Sequence, residues 1–292
     1  MKILIALVLA ALFLPALGIA QPSWKRQETK TDTKVELFHG TMTANFPTTE
    51  SLKKGDFMYE ISHRFVPPIK DGYDVYWGID GPARIRTALS YGISDGVMVT
   101  LGRSNLMDNT DLRVKVKLFQ FANPTLPAAF SLRAGIALNT GDIPESLDRN
   151  KLSGDNMQYY GQLIANTMLF NKKLGIGVVP SYLYNSSVFT VEKQYTFTLG
   201  NYYQYYFNDM WSVWVEYNPI VAGYQGFVES SEVGQKSYNS LSYGFDIETG
   251  GHFFHIVVTN NDRLNPSQYL VGANRSASSG DWRLGFGITR YL

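Results

Sequence analysis

The sequence predicts an all-β fold, a transmembrane antiparallel up-and-down β-barrel of about twelve strands with both termini periplasmic. Three observations lead there. A secretory leader opens the chain, short segments with period-two alternation follow, and their connections alternate between tight turns and long loops.

The leader begins Met1-Lys2 and continues through an apolar run over residues 3–20 that is broken by Pro15. Gly18-Ile19-Ala20 before Gln21 sets small residues at alternate positions ahead of a polar one, which predicts cleavage near Ala20 and export. A transmembrane anchor is the competing reading, and Pro15 with the small-residue end argues against it. The chain has no Cys, which excludes lipoprotein attachment, disulfides and thiolate metal sites. Residues 21–55 are polar and Lys-bearing apart from an apolar stretch over 35–38. They read as a periplasmic lead-in that either enters the barrel mouth or stays disordered. Residues 56–292 read as the barrel itself.

Composition suits that class: 26 Gly, 19 Tyr, 17 Phe and 5 Trp accompany only 17% charged residues. A net charge of +1 lacks the basic excess that nucleic-acid binding needs. A secreted sandwich would share this profile, so the strands must decide.

The first strand sets Phe57, Tyr59, Ile61, His63 and Phe65 on one face, and the second sets Ile85, Thr87, Leu89 and Tyr91. The third carries Val97, Val99 and Leu101; the fourth Leu112, Val114, Val116 and Leu118; the fifth Phe130, Leu132, Ala134, Ile136 and Leu138. A less regular segment over 159–170 is the sixth, followed by Leu174, Ile176, Val178 and Tyr182. Tyr195, Phe197, Leu199 and Tyr203 mark the eighth, and Trp211, Val213, Val215 and Tyr217 the ninth. Leu241, Tyr243, Phe245 and Ile247 make the tenth, and Phe254, Ile256 and Val258 the eleventh. In the last, over 282–292, Trp282, Leu284, Phe286 and Ile288 alternate with Arg283, Gly285, Gly287 and Thr289. If that strand closes the barrel, it must pair with the first.

Tight turns at 92–95, 171–173, 208–210 and 250–251, and a longer one over 123–127, alternate with links over 66–82, 140–156, 185–194, 220–235 and 261–280. A short link over 105–110 falls among the latter. Short turns on one side and long loops on the other are the pattern of periplasmic turns and extracellular loops. Aromatics near strand ends, such as Tyr91, Tyr182, Tyr205, Trp211 and Trp282, supply interfacial girdles.

Charge decides which face is which. Arg113, Lys115 and Lys117 alternate with the apolar residues of the fourth strand, and a cation facing lipid at mid-depth costs about 2–4 kcal/mol, so this row must line the lumen. Arg84, Arg86 and Arg133 share the inward parity, as do the acids Glu60, Glu216, Asp246 and Glu248. The expected lumen therefore has a basic wall opposite an acidic one. Such walls either select polar or anionic solutes in a water-filled pore or cross-link a closed interior by salt bridges.

Catalytic chemistry finds little support. His252 and His255 lie three apart in a strand and point to opposite faces, and the adjacent Ser62 and His63 diverge as well. No phosphate-binding glycine loop is present. No enzyme activity, cofactor or metal is expected.

Phe46-Pro-Thr-Thr-Glu-Ser-Leu-Lys-Lys-Gly-Asp-Phe57, Ile61-Ser-His-Arg-Phe65, Trp77-Gly-Ile-Asp80, Ser90-Tyr-Gly-Ile-Ser-Asp95 and Leu101-Gly-Arg103 resemble a Bacteroidota family of outer-membrane β-barrels of unknown function. Gly250-Gly-His252 with Thr259-Asn260 is similar to that family's penultimate strand. The resemblance covers most of the mature chain and implies the porin-like barrel and its compartment; it carries over no active-site residue. Tyr291-Leu292 departs from the Phe that frequently ends outer-membrane barrels.

The expected protein is thus a passive channel for small polar or anionic solutes in outer-membrane lipid, selective through Arg84, Arg86, Arg113, Lys115, Lys117 and Arg133. The alternatives are a closed barrel acting through loops that bind a partner, its lumen filled by side chains or by residues 21–55, and a secreted soluble β-protein.

Overall fold

The computed structural model describes residues 35–141, 145–226 and 236–292; the leader, its cleavage point and residues 21–34 lie outside them. The alternating segments form one antiparallel sheet of 13 strands. In chain order these are β1 (Phe57–Phe65), β2 (Ala83–Ser94), β3 (Val97–Ser104), β4 (Asn109–Phe121), β5 (Ala128–Leu138), β6 (Met157–Leu169) and β7 (Leu174–Tyr184). They continue with β8 (Tyr195–Tyr206), β9 (Trp211–Asn218), β10 (Ile220–Gly223), β11 (Ser240–Thr249), β12 (His252–Thr259) and β13 (Arg283–Tyr291).

Strands consecutive in the chain pair except at β10, which lies against β8 while β9 joins both β8 and β11. The first and last meet as expected, from Met58 opposite Tyr291 to Arg64 opposite Gly285. Twelve strands therefore close into a barrel, and β10 is the extra one. It prolongs β9 past Pro219 into the stretch expected to be all loop. Pro219 has no N–H to give the ladder, but its carbonyl accepts from the Leu199 amide at 3.1 Å, and pairing with β8 resumes through a bulge between Ile220 and Ala222.

The tight connections, together with the start of β1 and the end of β13, share one rim, the turn rim; the long ones share the opposite loop rim. Side-chain parity follows the cost of placing charge in lipid. Along β4, Leu112 and Val114 are exposed outside, whereas Asp111, Arg113 and Lys115 are buried inside. Aromatic pairs collect near both rims of the outer wall. Phe57 with Tyr91 (4.8 Å between ring centres) and Phe119 with Phe130 (4.7 Å) lie toward the turn rim, and Tyr182 with Tyr195 (6.0 Å) and Tyr243 with Trp282 (5.5 Å) toward the loop rim. Aromatic rings at these two levels suit the boundaries of a bilayer.

The interior is filled by the chain itself. Residues 35–55 turn inward from the turn rim and bury Leu37, Phe38, Phe46 and Leu52. From the loop rim, residues 260–273 descend with a single helical turn, α1 (Pro266–Tyr269), all four of whose residues are buried. Phe46 packs against Tyr202, with ring centres 6.1 Å apart, and meets Tyr269 edge-on at 5.6 Å. The N-terminal segment and the β12–β13 connection thus touch inside the barrel. The sequence places the first in the periplasm, at the mouth or, in the closed-barrel alternative, within the lumen, and the second among outward loops. Both go inside because the wall supplies partners for their backbone groups, which an apolar lumen could not do.

Candidate functional site

The site is the charged lumen wall and the segments seated against it. On the basic side, parity brings together Glu60 of β1, Arg86 of β2, Arg113, Lys115 and Lys117 of β4 and Arg133 of β5. Asp111 of β4 joins them. Its parity with Arg113 was a signal available in the sequence. Gly102 on the intervening β3 leaves the gap through which Arg86 and Asp111 meet, since a Cβ there would stand 2.6 Å from each. Arg86 donates to Glu60 at 2.5 Å and lies 3.7 Å from Asp111. Arg113 lies 3.7 Å from Glu60 and 3.8 Å from Asp111. Two carboxylates thus serve two guanidinium groups.

Lys115 and Arg133 have neutral acceptors. The Lys115 ammonium donates to the backbone carbonyls of Thr41 (3.0 Å), Thr48 (3.1 Å) and Glu50, all in the N-terminal segment. Arg133 donates twice to the Gln162 amide oxygen, at 2.7 and 2.5 Å. The Met42 thioether covers both Arg113 and Arg133, with sulfur 3.5 Å from one guanidinium and 3.9 Å from the other. Lys117 lies 3.7 Å from the Glu50 carboxylate.

The acidic wall holds the same segment from across the lumen. Glu216 of β9 accepts from the Asn45 amide at 2.9 Å, its side-chain nitrogen at 2.5 Å and the Thr43 hydroxyl. Glu248 of β11 pairs with His39 at 2.6 Å. Asp246 is used within the wall, accepting from Trp214 Nε1 at 2.7 Å and Gln204 at 2.9 Å and pairing with His255 at 2.7 Å. Asn166 and Tyr202 complete the cradle: Thr49 N–H donates to Asn166 at 2.7 Å, and Tyr202, in a run of aromatics that reads as girdle, is instead fully buried and donates to the Pro47 carbonyl at 3.0 Å. A polar residue of inward parity carries no signal that its partner is backbone.

The β12–β13 connection is held from the loop rim. Arg86 donates to Asn265 at 2.6 Å, Gln268 to the Leu106 carbonyl at 2.7 Å, and Arg263 to Gly272 at 2.6 Å. Arg84 faces Asp262 at 3.9 Å and Arg283 faces it at 4.0 Å. Outside the strands, a hydrogen bond from Lys70 holds the Asp281 carboxyl below the ordinary range, and one from Lys193 does the same for Asp155.

Beside Glu60 and His255 a cavity of about 10 Å³, bordered by Gly40, Thr41 and Met42, has room for about one water. His255 points inward, while His63 lies outside against Phe286 at 4.5 Å and Ser62 is buried within. Among the described residues no group of three or more His, Asp or Glu side chains could hold a metal ion.

Residues 38–292 match the family model described as a membrane bound beta barrel domain, DUF5777. No curated protein matches the sequence. Among solved structures, an outer membrane channel from Pseudomonas putida F1 superposes with a TM-score of 0.50 at 10% identity, covering 84% of this chain and 98% of that one. The NanC porin gives 0.48 at 9% identity, over 81% and 100%. Outer membrane phospholipase A from Escherichia coli gives 0.39 at 10%, over 82% and 92%. At these identities the likeness is one of fold.

Proposed function

The chain belongs to the membrane-bound beta barrel domain family DUF5777, and from that premise we propose that this outer-membrane barrel is a channel for small polar or anionic solutes that rests closed on its own N-terminal segment. One observation carries the reading. The polar contacts that fasten the lumen segment to the wall are hydrogen bonds that water can replace, such as those from Lys115 to three carbonyls and from Asn45 to Glu216. Each such bond contributes a net of only about 0.5–1.5 kcal/mol, or about 1.5–3 where a charged group takes part. Withdrawal also uncovers Leu37, Phe38, Phe46 and Leu52, so the segment rests seated and leaves rarely. The expected open passage gives way here to a gated one, with Arg84, Arg86, Arg113, Lys115, Lys117 and Arg133 as its selective wall once cleared. The reading needs no catalytic residue.

A permanently closed barrel acting through its loops is the second reading. Contact between Phe46 and Tyr269 favours it, as do the exposed rings of Tyr73, Tyr76 and Trp77 on the β1–β2 loop. Planar-bilayer recordings separate the two. Gating predicts rare openings from the full chain and sustained, anion-preferring conductance after deletion of residues 35–50. Silence from both proteins, each correctly folded, would establish the closed barrel instead.

A further inference from the structure

We propose that the Met42 thioether occupies an oxyanion site formed by Arg113, Arg133 and Lys115, and that a carboxylate or phosphate bound there releases residues 35–50 from the wall. The inference rests on the gated reading for its physiological use, but the site itself can be tested without conductance.

Charge accounting on the basic wall points to it. Arg86, Arg113, Lys115 and Arg133 are all buried, and their ion-pair partners on the wall are the two carboxylates Glu60 and Asp111. Buried cations are ordinarily matched by anions, because neutral acceptors recover only part of the lost hydration. Here the balance is made up by the N-terminal segment, which brings three carbonyls to Lys115, Glu50 to Lys117 and a thioether to the arginines. The thioether is the weakest of these acceptors. It lies 3.5 Å from Arg113 Nη2 and 3.9 Å from Arg133 Nη1, so its sulfur stands between two guanidinium groups. A carboxylate or phosphate oxygen at that point would take charge-assisted bonds from both forks, a geometry that arginine favours.

Binding would compete with the segment. An oxyanion at the sulfur position displaces Met42 and draws Lys115 away from Thr41, Thr48 and Glu50. What then retains that end is Glu216 with Thr43 and Asn45, Asn166 with Thr49, Tyr202 with Pro47 and the packing of Phe46. The small cavity bordering Met42 supplies the first room for this movement.

The chain has no Cys, so a single introduced thiol reports on the segment. Thr49→Cys is suited to this, because Thr49 is fully buried and its hydroxyl makes no hydrogen bond. The full chain folded in detergent is treated with a water-soluble maleimide in sodium citrate, in sodium phosphate and in sodium chloride of equal ionic strength. Citrate or phosphate is expected to raise the labelling rate at least about fivefold over chloride, a margin that corresponds to about 1 kcal/mol. Met42→Glu, which tethers a carboxylate between the arginines, and Arg133→Gln, which removes one of them, should each abolish that response. Equal labelling in all three salts overturns the proposal, as does an undiminished response in whichever of the two variants folds. Anion-dependent labelling without conductance would sink the channel reading and leave the site standing. Conductance without anion-dependent labelling would do the reverse.

Discussion

Gly200 of β8 and Gly175 of β7 show how single residues shape the lumen for the segment inside it. A Cβ on Gly200 would stand 2.3 Å from the Phe46 ring, and one on Gly175 would stand 2.5 Å from Phe38. Neither ring can retreat easily, because Phe46 is wedged between Tyr202 and Tyr269. Gly200→Ala is therefore expected to destabilise the seated segment by about 1–3 kcal/mol, as overpacking does. Gly161→Ala is the control, since nothing lies within 4 Å of its Cβ. Maleimide labelling at Thr49→Cys measures the outcome: faster in the Gly200→Ala background and unchanged in the Gly161→Ala one. Equal rates would mean that Phe46 does not hold the segment. The inward parity of Gly200 could be read from β8, but its role could not. Small residues lining a lumen look alike whether they face water or a ring.

At the scale of elements, the closing pair β1–β13 is the decisive contact, because it converts an open sheet with two bare edges into a barrel without any. Ile61 and Ile288 are register partners on the outer face. Adjacent antiparallel residues lie about 4.5–5.5 Å apart at Cα, within the range a disulfide spans. Ile61→Cys with Ile288→Cys should cross-link on oxidation and run anomalously on a denaturing, non-reducing gel. Ile61→Cys paired with Ile256→Cys, one strand further on, should not. Failure of the first pair to form in folded protein would place the seam elsewhere. This pairing was legible in advance because lipid imposes a strict rule: apolar residues out, charges in, every second position. The rule also assigned the basic row on β4 to the lumen, while turn residues and link lengths marked the turns. It had nothing to say about residues 35–55 and 260–273, which lie inside the barrel and never face lipid. Their polar composition reads as loop, and their burial depends on partners distant in sequence, as Thr43 and Asn45 depend on Glu216. The link expected over 220–235 hid a short strand. Beyond Pro219 the chain pairs again with β8 through the bulge between Ile220 and Ala222.

For the molecule as a whole, the two rims differ in kind, and that difference bears on orientation in the membrane. The turn rim carries the start of β1, the end of β13 and the tight connections, and through it the N-terminal segment enters. The loop rim carries the long connections, among them the exposed rings of Tyr73, Tyr76 and Trp77. A chain delivered to the periplasm by a leader keeps its ends on the side from which it inserts, while the hairpin tips cross the bilayer. The gated reading requires the same arrangement, since residues 35–50 would then withdraw toward the periplasm. Two exposed lysines mark the rims: Lys151 on the β5–β6 connection and Lys173 on the β6–β7 turn. In intact cells, a membrane-impermeant maleimide should label Lys151→Cys and spare Lys173→Cys. Labelling of Lys173→Cys should appear only once the outer membrane is permeabilised. The reverse pattern would invert the barrel and put the N-terminal segment at the cell exterior, where solutes arriving from outside would meet residues 35–50 before the β12–β13 connection.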